Sequence, residues 1–148
     1  MIFNNDSEFK TALKRLSAAE QRHIAARFVE SVLALSSDPR VTAAVHAALR
    51  TDITDDELAV LYQAAKAACV DSYTQCGHVT DWLNQAGHFV AEAASACVMP
   101  AERGVNLAWD AAMRARMART CETIAAGKGT ENREITHQYR LLFEHLSK

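Results

Sequence analysis

The stretch VTDWLNQAGHFVAEAASACV, Val79 to Val98, decides how the chain folds. Val79, Trp82, Leu83, Ala86, Val90, Ala93 and Cys97 recur at steps of three and four, so they share one side of a 3.6-residue helix. That side is expected to be buried. A second row, His78, Asp81, Gln85, His88 and Glu92, is equally regular and polar, and is expected to form an outward-facing ridge.

The rest of the chain repeats this pattern. Asp6 and Ser7 are suited to cap a short first helix whose Phe9, Leu13 and Leu16 share a face, and Ser17 with Glu20 makes a capping box for a second helix running to about Leu35. Asp38-Pro39 opens a third helix to about Arg50, and Thr54 with Glu57 opens a fourth. In the fourth, Leu58, Leu61, Tyr62, Ala65, Cys69, Ser72 and Tyr73 are the expected buried set, with a stop near Gly77. A sixth helix from about Asn106 to Ala126 is expected to pack through Trp109, Met113, Met117, Cys121 and Ile124. A seventh, capped by Thr130, is expected to pack through Ile135, Tyr139, Leu142 and Leu146. No stretch alternates with period two, so the expectation is one all-α domain over residues 1–148, an irregular bundle or short stack of six to seven antiparallel helices. Its 28 alanines imply close helix approach, and Gly87 inside the central helix marks a point where a neighbour crosses.

At 148 residues the chain is long enough for one core that needs no disulfides. Cys69, Cys76, Cys97 and Cys121 are widely spaced, form no C-x-x-C pair and sit mostly on apolar helix positions. With a start, MIFNNDSEFK, that is not a basic segment followed by an apolar run, and with no long apolar stretch, this predicts a soluble cytoplasmic protein that does not enter a membrane. The net charge of -2 is unevenly spread: residues 51–100 hold 1 basic and 7 acidic side chains, while each flanking third is net +2. An acidic middle repels nucleic acid and favours a basic partner surface.

Four constellations bear on chemistry. His78, Asp81, His88 and Glu92 are ligand types for zinc, iron or manganese, which makes a metal-binding bundle or metal-dependent enzyme the alternative reading. Two E-x-x-H elements, Glu20 to His23 and Glu134 to His137, match half of a di-metal carboxylate bundle, but both glutamates fall in first turns and off the apolar seams. Gly127-Lys128-Gly129-Thr130 lacks the earlier glycine and preceding strand of a phosphate loop, and Cys76 beside His78 has nothing in sequence to orient a thiolate and base. Arg114, Arg116 and Arg119 read as partners for the acidic middle rather than as a nucleic-acid site, with Arg116 beside the buried seam.

Asp38-Pro39-Arg40 opening a helix that continues to Ala43 is one part of a longer pattern. Ile53 to Glu57 then opens an alanine-rich helix with Ala64-Ala65 and Ala67-Ala68, and Ala86-Gly87-His88 is followed by Val90-Ala91. Over about residues 38–98 the chain thus resembles the alanine-rich, all-helical immunity proteins of bacterial polymorphic-toxin systems. The resemblance implies a small cytoplasmic protein without catalysis or cofactor that binds and blocks a toxin domain. Together with the charge distribution it makes a non-catalytic protein-binding module the expected function. Asp55, Asp56, Glu57, Asp81, Gln85, His88 and Glu92 are its candidate binding residues. A self-associating subunit is the third reading.

Overall fold

The computed structural model describes residues 3–75, 81–102, 104–129 and 132–148. Among them are seven α-helices and no strand: α1 (Asp6–Lys14), α2 (Ala18–Glu30), α3 (Pro39–Ala48), α4 (Asp55–Gln75), α5 (Trp82–Val98), α6 (Leu107–Ala125) and α7 (Glu134–Leu146). The expected all-α architecture is the one found.

Local chemistry sets most helix starts. Ser17 and Glu20 form a reciprocal box, Glu20 N–H donating to Ser17 Oγ at 3.2 Å and Ser17 N–H to Glu20 Oε2 at 2.9 Å. Asp38 accepts from Arg40 N–H, with Pro39 at the first helical position. Thr54 Oγ1 accepts from Glu57 N–H at the head of α4. At α1 the cap is Asn5, which accepts from Glu8 N–H at 2.9 Å, one residue before the expected Asp6. Asp6 is needed elsewhere. The second helix also ends sooner than expected, because the chain tightens after Glu30 into a single 3-10 turn at Leu33–Leu35. The expected stop at Gly77 and cap at Thr130 lie outside the described residues.

Helix α5 is the axis of the molecule, packed against α2, α3, α4, α6 and the 3-10 turn. Its two-faced pattern is kept only in part: Leu83, expected on the buried side, is 60% exposed, because the first turn of α5 projects past its neighbours. From Ala93 to Val98 every residue is buried, so this half has no solvent side at all. Gly87 sits where the 3-10 turn crosses: a Cβ there would lie 3.2 Å from the Leu35 carbonyl oxygen. The glycine permits that approach.

The faces of α6 and α7 differ from the sequence expectation for one shared reason. On α6 the buried row is Leu107, Ala108, Ala111, Ala112, Ala115 and Ala118, while Met117 is exposed and Trp109, Met113 and Ile124 are only partly covered. Small side chains fill the tight contact with alanine-rich α5, and the bulky ones flank it. On α7 the buried residues are Glu134, Gln138, Leu141 and Leu142, leaving Ile135 and Leu146 exposed. A seam containing a carboxylate and an amide does not read as apolar.

These buried polar groups have partners. Arg116 passes between α1 and α7: its Nε donates to Gln138 Oε1 at 2.7 Å, its terminal nitrogens reach Asp6 at 2.9 and 3.0 Å, and its guanidinium stands 5.6 Å from the Phe9 ring centre. The hydrogen bonds from Arg116 hold the Asp6 carboxyl below the usual aspartate range. Arg119 donates to Glu134 at 2.8 Å and to the Ser31 carbonyl at 2.8 Å. Arg22 donates to the carbonyls of Cys97 at 2.6 Å and Met99 at 3.1 Å, satisfying acceptors that the end of α5 would otherwise leave open. Cys69 and Cys97 are buried free thiols, and Cys121 is buried as well. No helix among the described residues is long and apolar enough to cross a membrane.

Candidate binding face

Helix α4 lies at one edge of the bundle and packs on α3 and α5. Its inner side buries Leu58, Ala65, Ala68 and Cys69, with Leu61 and Tyr62 half-covered, as the spacing implies. Its outer side departs from expectation. Val60 is 71% exposed, Val70 63% and Tyr73 71%, and Ala59 and Ala67 are exposed on the same side, together with Gln63 and Lys66. Tyr73, expected inside, is outside because the adjacent inward position is taken by the polar Ser72. The outer strip was legible as Val60, Ala67 and Val70 recurring at three- and seven-residue steps.

The acidic residues head this strip. Asp55 and Asp56 are exposed in the first turn of α4, where carboxylates are favoured by the helix dipole. Glu57 is more constrained: Arg50 Nη1 donates to it at 2.9 Å, and that bond holds its carboxyl below the usual glutamate range. Between the end of α3 and the start of α4, Asp56 and Glu57 border a cleft of about 590 Å³ lined also by Ala43, His46, Ala47, Val60 and Leu61.

The four polar residues of α5 divide. His88 and Glu92 do not form the expected outward ridge, since the His88 side chain is only 12% exposed. Its Nδ1 lies 2.8 Å from Ser72 Oγ on α4, its Nε2 lies 2.9 Å from Glu92 Oε1, and its ring is 5.7 Å from that of Tyr73. The other Glu92 oxygen accepts from Arg114 Nε on α6 at 2.7 Å. The ridge is therefore a polar bridge that ties α4, α5 and α6 together. Asp81 caps α5 through Asn84 N–H at 3.3 Å, and Gln85 lines a shallow groove between α5 and α6 with Trp82, Phe89, Met113 and Met117.

For a metal, this geometry is unfavourable in a specific way. Both His88 nitrogens and both Glu92 oxygens already have partners, so ligation would require breaking the bridge. His78 lies outside the described residues. Among those described, no three His, Cys, Asp or Glu side chains are grouped to hold an ion. The E-x-x-H pairs separate likewise: Glu20 serves its capping box, and Glu134 accepts from Ser31 Oγ and Arg119.

No family model, curated protein or solved structure matches the chain. Function must then be argued from the surface itself. On that surface α4 presents exposed hydrophobics in a row, and α5 presents none of comparable length.

Proposed function

We propose that this protein is a non-catalytic binding module whose contact face is the outer side of α4. The observation that carries the reading is the row Val60, Val70 and Tyr73, large apolar side chains left in solvent along one edge helix and headed by Asp55 and Asp56. An amphipathic partner with a basic rim fits such a face, its apolar groups covering the row and its cations meeting the acidic head. The bridge through Ser72, His88, Glu92 and Arg114 would hold α4 in place, so its role is positioning rather than contact.

The most concrete version is an immunity protein that blocks a toxin domain with a basic surface. The resemblance over residues 38–98 and the acidic middle of the chain support it. The test is growth rescue of cells expressing any toxin domain whose gene is found next to the gene for this chain, together with binding kinetics on the purified pair. Wild-type chain should protect. V60D/V70D should fold, by circular dichroism, yet fail to protect, and D55K/D56K should slow association by about tenfold at low salt. Protection by V60D/V70D equal to wild type would remove the α4 face, and no protection by wild type would remove the immunity reading.

A further inference from the structure

At the far end of the molecule from α4 in sequence, the first turns of α7 and the adjoining part of α6 enclose a shallow cleft of about 520 Å³. It is lined by Arg119, Arg133, Glu134, Thr136, His137 and Arg140. Its hydrogen-bonding character is one-sided. Arg140 Nη2 lies 2.9 Å from His137 Nδ1. A guanidinium can only donate, so Nδ1 accepts and the ring proton of His137 sits on Nε2, a second donor. Arg133 and Arg140 are exposed and make no ion pair among the described residues.

The one carboxylate in the lining is already satisfied. Ser31 Oγ is 2.9 Å from both Glu134 oxygens, and Arg119 Nε donates to Oε1 at 2.8 Å. Glu134 is 3% exposed, so its charge faces Arg119 rather than the cleft. What remains for a ligand is a set of donors: the guanidiniums of Arg133 and Arg140, the Thr136 hydroxyl and the His137 ring N–H. Residues 133, 136, 137 and 140 stand at three- and four-residue steps, so α7 presents them on one side. A surface dominated by donors, two of them guanidiniums, with a hydroxyl free to turn its O–H inward, suits a tetrahedral oxyanion, which offers acceptors on every side.

We infer that this cleft binds phosphate, as the free ion or as a phosphate monoester, through Arg133 and Arg140 with Thr136 and His137 as supporting donors. It is separate from the α4 face and does not depend on it.

The test is a titration of the full chain with inorganic phosphate at fixed ionic strength, followed by NMR of the arginine side-chain N–H and histidine ring signals. The expected result is a saturable shift at Arg133, Arg140 and His137, with affinity at least tenfold weaker in R133Q/R140Q. Both substitutions are at exposed positions, so melting temperature and circular dichroism should match wild type. Phenyl phosphate run alongside distinguishes the sources: tighter binding than inorganic phosphate indicates a monoester carried on a larger molecule, and equal binding indicates the free ion. A response that does not saturate, that chloride reproduces, or that persists unchanged in R133Q/R140Q overturns the assignment.

Discussion

Helices α4 and α5 pack side by side and carry five alanines each, yet they are put to opposite uses. On α5 all five alanines are buried, and the last six residues have no solvent side. On α4 two of the five, Ala59 and Ala67, face water beside Val60, Val70 and Tyr73. Composition does not separate the two helices. The number of neighbours does: α5 is enclosed by four helices and the 3-10 turn, whereas α4 packs on two helices. Small residues at the centre allow close approach, and the same residues at the edge leave an outer side on which Val60, Ala67, Val70 and Tyr73 stand exposed among Gln63 and Lys66.

The largest effect expected from disturbing this contrast is at the end of α5. Removing Arg22, as Arg22→Ala, leaves the buried carbonyls of Cys97 and Met99 without their donor. A loss of about 3 kcal/mol in denaturant unfolding is expected. A loss under about 1 kcal/mol would mean that the enclosed end of α5 does not need its cap. Next is the paired substitution Ala94→Leu on α5 and Ala67→Leu on α4. The first has no space to enter and should cost about 1–3 kcal/mol. The second is in solvent and should stay within about 0.5 kcal/mol of wild type. Equal costs would dissolve the distinction between the helices.

A last effect, small near neutral pH, is alkaline. Burial pushes the Cys97 thiol on α5 up to about 12 from 9.0, so the folded state holds the proton more tightly than the unfolded state. The stability it contributes is present below pH 9 and falls as pH rises from there toward 12. Cys97→Ala should flatten that decline. Labelling with a thiol reagent at pH 8 should reach Cys97 only on unfolding.

The sequence carries the helices well and their faces unevenly. The Ser17 and Glu20 box, Asp38-Pro39 and the inner row of α4 were readable because each rests on neighbours a few residues away. The faces of α6 and α7 were not, because hydrophobicity marks Met117, Ile135 and Leu146 as core while packing prefers the alanines of α6 and the polar Glu134 and Gln138 of α7. Glu134 is buried only because Arg119 and Ser31 arrive from other helices. No local pattern announces partners so far along the chain. His88 and Glu92 form a regular polar row in the sequence, but their setting depends on Ser72 and Arg114, which only the fold brings near.

The guanidinium of Arg116 has a kinetic corollary. It joins Asp6 to Arg116 across 110 positions, and the Asp6 carboxylate also accepts the Tyr139 hydroxyl across 133. On a ribosome the opening helix would emerge early and wait for its charged anchor until most of the chain had been made. Refolding should accordingly show α1 locking onto α6 and α7 late, after the alanine-packed contact of α4, α5 and α6 has assembled.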